Sequence, residues 1–176
     1  MKSLLICVTF LISILGLAFG QAPEPKKPLS PPADTSVTIG GKALTVKYSA
    51  PSMRGRKIFG GLVPFGKVWR AGANSATALH TEADLDLNGL AIPKGDYTLF
   101  ILPEEDQWTL IVNKQTGQWG LAYDQTKDLG RIKLDLSQAA SPLETFKITL
   151  SSSGADTGKL EFAWEKTIAA TTFSVK

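Results

Sequence analysis

The stretch LDLNGLAIPKGDYTLFILPEEDQWTLIV, Leu85–Val112, decides the fold. Leu85 and Leu87 alternate with Asp84, Asp86 and Asn88, so one face of the segment is apolar and the other polar. That two-residue period belongs to a strand with one buried face. Asn88-Gly89 follows at once, and both residues tolerate the positive φ of a type I′ hairpin turn. Tyr97–Leu102 and Trp108–Val112 are apolar on both faces, as central strands are, and the polar link Pro103–Gln107 joins them. The segment reads as antiparallel sheet.

The same period recurs on either side. Ile132, Leu134 and Leu136 alternate with Arg131, Lys133 and Asp135, and Phe146, Ile148 and Leu150 with Lys147 and Thr149. Leu160, Phe162 and Trp164 alternate with Glu161 and Glu165. Toward the amino end Gly40-Gly41 can turn Val37–Ile39 into Leu44–Tyr48, and Thr116-Gly117 follows the second central strand. No amphipathic helix of useful length interrupts the pattern, and Gln125–Leu129 offers one helical turn at most. The expectation is an all-β domain, a single antiparallel β-sandwich (jelly-roll-like) of about eight or nine strands.

Lys2, the apolar run Leu4–Phe19 and the small residues Ala18, Gly20 and Ala22 have the layout of a secretory signal peptide, cleaved most simply after Gly20. A retained anchor is the alternative, for which the apolar run is slightly short. Cys7, the one cysteine, lies inside that run, so beyond residue 20 there is no disulfide and no thiol chemistry. Residues 21–34 hold Pro23, Pro25, Pro28, Pro31 and Pro32, with Leu29 as the one large apolar side chain, and read as an extended tether. The expected organisation is a signal peptide at 1–20, the tether at 21–34 and one domain at 35–176. Localisation is then periplasmic or secreted, with no membrane span left after cleavage.

Charge is polarised along the chain. Thr35–Thr81 carries seven basic residues (Lys42, Lys47, Arg54, Arg56, Lys57, Lys67, Arg70) and no acid, whereas Glu82–Lys176 carries nine basic and fourteen acidic residues. Either the two parts pair across the fold, or the basic part offers a surface to an anion. Nucleic acid is a poor fit, because no basic run is interleaved with stacking aromatics.

Pro51–Asn74 follows neither period. It holds Gly55, Gly60, Gly61, Gly66 and Gly72 among Ile58, Phe59, Leu62, Val63, Phe65, Val68 and Trp69. A long irregular segment this apolar should pack over one end or edge of the sheet rather than stay disordered. Together with its neighbours it carries a resemblance. YSAPSMRGRKIFGGLVPFGKVWRAGANSAT (Tyr48–Thr77), IPKGDYTLFILP (Ile92–Pro103) and WTLIVNKQTGQWGLAYDQTKDLGRIKLDL (Trp108–Leu136) closely resemble the DUF2911 family of bacterial exported proteins of unknown function. The resemblance runs from about Ser36 to Val175. It implies a common fold and export, and it brings no catalytic residues. The family often has Arg or Ser where Ala50 stands, and usually Tyr where Phe65 stands.

Chemistry in the residues themselves is sparse. His80 is the sole histidine; Ser75 or Ser49 could be drawn with it into a triad, yet no nucleophile-elbow motif is present. His80, Glu82 and Asp84 are not a recognised metal set. Glu104, Glu105 and Asp106 read as a solvated turn without calcium-loop spacing, and Asp124 and Asp128 call for the same caution. Gly66-Lys67-Val68-Trp69 lacks the phosphate-loop pattern. No cofactor is expected. What remains is a polar-aromatic group: Arg54, Arg56, Trp69, Arg70 and Asn74, joined by Asn113, Gln118, Trp119, Tyr123 and Arg131, with His80 as a further candidate contact. Arginine forks suit carboxylate or phosphate, and indole or phenol rings offer flat faces to sugars. The competing reading makes Trp69 and Trp119 core anchors and pairs the arginines with acids of the second half. The expected function is a non-catalytic exported binding or interaction domain for an anionic envelope or extracellular group, a glycan or an envelope protein. The alternatives are a hydrolase acting on such a substrate and a structural scaffold.

Overall fold

The computed structural model describes residues 28–176. The expected signal peptide and the first half of the expected tether, residues 21–27, lie outside the described residues. Nine strands follow: β1 (Pro32–Ile39), β2 (Lys42–Ser49), β3 (Thr77–Thr81), β4 (Leu85–Leu87), β5 (Leu90–Ile92), β6 (Gly95–Pro103), β7 (Trp108–Asn113), β8 (Asp128–Ser152) and β9 (Thr157–Val175). They form one antiparallel sheet in the order β1-β2-β3-β6-β7-β8-β9-β4-β5, which does not close. The described residues are all-β, as their periodicity requires. The one helical element among the described residues is the 3-10 turn Gln125–Lys127, capped by Asp124 through the backbone N–H of Thr126.

The turns form where their residues permit them. Asn88 and Gly89 sit at φ 49 and 92 between β4 and β5, and Gly40 and Gly41 at φ 57 and 73 between β1 and β2. β6 and β7 occupy the middle of the sheet, with Leu99, Phe100, Ile101, Leu110, Ile111 and Val112 buried on both faces. Two boundaries differ from the sequence reading. The tether ends before residue 34, because Pro32, Ala33 and Asp34 pair with Ser49, Tyr48 and Lys47. Ile132–Leu136 and Phe146–Leu150 are not separate strands but two parts of β8. Opposite Trp164 and Glu165, β8 carries extra residues around Leu143, so its register against β9 shifts twice there. Glu165 takes φ 55 at this corner.

The shift bends the long β8–β9 pair and brings its far half over the start of the sheet. There the free edge of β8 meets β1 and β2 through side chains: Ile148 N–H donates to the Tyr48 hydroxyl at 3.1 Å, and Leu150 N–H to Thr35 Oγ1 at 3.1 Å. Beyond β2 the backbone takes over, with Phe146 N–H donating to Pro51 O and Met53 N–H to Glu144 O, both at 2.8 Å. An edge that would otherwise invite pairing with another chain is thereby covered.

Pro51–Asn74 is the long irregular segment, and it packs. Ile58, Phe59, Val63, Trp69 and Ala71 are buried in the main core. Backbone bridges pin the segment at Ser52 to Thr145 and at Trp69 to Ile101. Trp69 stacks on Trp164 with centroids 5.9 Å apart and meets Phe146 and Phe59 edge-on at 5.0 and 6.1 Å. Its indole N–H donates to Gly72 O at 3.0 Å. Trp69 is a core anchor.

Candidate functional site

Under the irregular segment lies a cleft of about 280 Å³, whose walls include Pro51, Arg56, Trp69, Arg70, Ala73 and Trp164 and no acidic residue. The packed aromatics hold the backbone that carries the two arginines. Arg56 is held in place by its own segment: Nε donates to Met53 O at 2.9 Å and Nη2 to Ser52 O at 2.8 Å. Arg54 takes φ 51 at a turn, donates from Nη2 to Leu29 O, and does not line this cleft.

Arg70 is half-buried. Its side chain runs beneath Gly120, where a Cβ would stand 1.9 Å from Arg70 Cδ and 2.9 Å from Nε. Arg70 Nε is enclosed and has no hydrogen-bond partner among the described residues. Burial lowers the pKa of the guanidinium, which is the signature of a charge without compensation. The ion pairs among the described residues are His80–Asp96, Arg131–Asp128, Lys159–Glu161 and Lys176–Asp86. None involves a residue of the basic stretch Thr35–Thr81 apart from His80. The arginines of that stretch are not paired off against the acids of the second half.

Asn74, at φ 58, joins the cleft's rim to the next loop. Its Nδ2 donates to Ser30 O at 3.4 Å and to Ser49 Oγ at 3.3 Å, and its carbonyl accepts from Gly120 N–H at 3.1 Å. Trp119, beside Gly120, is 58% exposed and is not a core anchor. Gln118 Nε2 is enclosed without a partner among the described residues.

Asn113, Tyr123 and Arg131 come together, but around an acid. Asn113 Nδ2 donates to Asp128 Oδ1 at 2.9 Å, while the Tyr123 hydroxyl and Arg131 Nη2 both donate to Asp128 Oδ2 at 2.8 Å. Arg131 Nη2 also donates to the Tyr123 hydroxyl at 2.6 Å. Arg131 here is compensated, unlike Arg70, and its pKa is raised, first by the hydrogen bond to Asp128. The group ties the start of β8 to the loop after β7. Asp128 is the hub that sequence reasoning missed; its place three residues before Arg131 was the available signal.

Burial first, then the hydrogen bond and charge of Asp128, push Tyr123 up from 10.0 to about 12. Ionisation would set a phenolate against the carboxylate. With the folded value above the unfolded one, the stabilisation is fully present below pH 10.0 and is lost as pH rises through about 12. Denaturation midpoints should fall over that window. Tyr123→Phe should flatten the fall, leaving the part due to Tyr97, which burial also raises. An unchanged slope in the variant would contradict the assignment.

His80 lies elsewhere, on the outer face of β2, β3 and β6. Cross-strand register aligns Thr45, His80 and Asp96 in one row. His80 Nδ1 and Asp96 Oδ1 are 2.8 Å apart in a groove of about 540 Å³ that Lys47 and Thr116 also line. No hydroxyl is hydrogen-bonded to His80 among the described residues, and Ser49 Oγ instead accepts from Asn74. A triad with Ser49 or Ser75 is not assembled. No group of three or more His, Cys, Asp or Glu that could hold a metal ion occurs among the described residues.

Residues 30–173 match the DUF2911 family, described as a protein of unknown function, and the chain belongs to that family. No curated protein and no solved structure matches the chain.

Proposed function

We propose that this DUF2911 protein is an exported, non-catalytic binding domain whose Arg56–Arg70 cleft takes an anionic group of an envelope or extracellular partner, such as a charged glycan. One observation carries the reading: Arg70 is half-buried with its Nε enclosed and unpartnered, in a cleft without acids. A buried donor and a desolvated charge left unmatched are costly. An anion in the cleft supplies the counter-charge that Arg70 lacks, and it does so through the terminal nitrogens of the planar fork, because Nε itself is enclosed beneath Gly120. Carboxylate or phosphate oxygens take two parallel bonds from that fork. Arg56, tethered by the carbonyls of Ser52 and Met53, adds a second charge that needs little further ordering.

The test is a screen of anionic glycans and envelope fractions at low salt, where electrostatic binding is strongest, repeated with Arg56→Ala and Arg70→Ala. Binding that survives both substitutions removes this site. Export is part of the proposal. Protein purified from its native host should begin just after Gly20, and a membrane-bound form retaining Met1 would contradict it.

A hydrolytic reading has a single observation in its favour, the His80–Asp96 pair in the outer groove. A general base also needs a nucleophile or a water within reach. Turnover of a generic ester or glycoside that His80→Ala abolishes would favour it over binding.

A further inference from the structure

We infer that the anion recognised at Arg70 is joined to an apolar chain or ring, and that Trp119 and Leu121 receive that apolar part. The inference rests on the anion-binding reading of the cleft and adds the class of ligand. Trp119 and Leu121 are 58% and 77% exposed, among the most exposed large apolar side chains of the described residues. They flank Gly120, and Gly120 lies directly on the Arg70 side chain. A Cβ there would also stand 2.5 Å from Asn74 O, so only a residue without a side chain lets this loop come down over the arginine.

The loop is built rather than loose. Gly120 N–H donates to Asn74 O at 3.1 Å, Ala122 N–H to Trp119 O at 2.8 Å, and Ser75 bridges to Trp119. A fixed loop therefore presents two apolar side chains to water beside an arginine that lacks a counter-charge. Single exposed apolar residues are ordinary; an indole and a leucine beside an uncompensated guanidinium make a two-part surface. Its complement is an amphiphilic anion, an organic phosphate or carboxylate. Arg70 fixes the charged end, and the indole face and the leucine take the apolar end out of water.

The experiment titrates the full domain at low salt with inorganic phosphate and with hexyl phosphate. Hexyl phosphate should bind at least about tenfold more tightly, since a six-carbon chain has enough apolar area for that gain even when only partly covered. Trp119→Ala with Leu121→Ala should abolish the preference and leave inorganic phosphate binding unchanged. Both residues are exposed, so the double variant should keep the wild-type unfolding midpoint. Equal affinity for the two probes in the wild type, or a preference that persists in the double variant, overturns this inference while the anion cleft stands. Failure of both probes to bind overturns the cleft reading itself. Anionic phospholipid vesicles form a third arm that assigns the source. Co-sedimentation lost in the double variant supports a membrane lipid, and hexyl phosphate binding without co-sedimentation supports a soluble amphiphile.

Discussion

Trp69→Ala should destabilise the domain by roughly 3–5 kcal/mol, the usual cost of deleting a large aromatic from a core. Trp69 is 8% exposed, stacks on Trp164, meets Phe146 and Phe59 edge-on and donates its N–H to Gly72 O. The substitution opens a cavity where the irregular segment meets the sheet and leaves the Gly72 carbonyl without its donor. Typical domain stability is about 5–15 kcal/mol, so a loss of this size removes a large share of it. Trp119→Ala is the control, with an expected change within about 0.5 kcal/mol, as for an ordinary surface substitution. Denaturant unfolding of both variants separates them. A Trp69→Ala cost below about 1 kcal/mol would reject the anchor.

Arg70→Met should leave stability unchanged or raise it, and should weaken anion binding about ten- to a hundredfold. Methionine keeps aliphatic packing beneath Gly120 and removes the enclosed, unpartnered Nε together with a desolvated charge. In the wild type an anion should raise the unfolding midpoint, because a ligand that binds only the folded state stabilises it in proportion to occupancy. The variant should lose that response. Arg70→Lys should recover a part of it, since a point charge lacks the fork. A strongly destabilised Arg70→Met would mean that the guanidinium serves the fold instead.

Much of the fold is legible because a strand with one wet face writes its period into the sequence, as Leu85–Leu87 and Leu160–Trp164 do. The glycine and asparagine turns are legible for a similar reason: their φ values are open to few other residues. The continuity of β8 is not. Ala139, Ala140, Ser141 and Pro142 have no apolar alternation and fall in the register shift between Gln138 and Leu143; the residues paired with β9 on either side carry the strand through. Nor does the sequence separate Trp69 from Trp119, since both sit within three residues of glycines in irregular stretches. One is stapled to Ile101 and buried, whereas the other lies on a loop over Arg70. The arginines show the same limit. Arg131 meets an acid three residues away, a local relation, but the isolation of Arg70 depends on which distant residues fail to reach it.

The central claim is that an anion binds at the Arg56–Arg70 cleft, and amide chemical shifts of ¹⁵N-labelled protein titrated with inorganic phosphate at low salt test it most directly. The account predicts the largest shifts in residues 52–56, 69–74 and 118–121, saturating together and absent in Arg70→Met. Shifts largest around His80 and Asp96, or spread over the surface lysines without saturation, would contradict it.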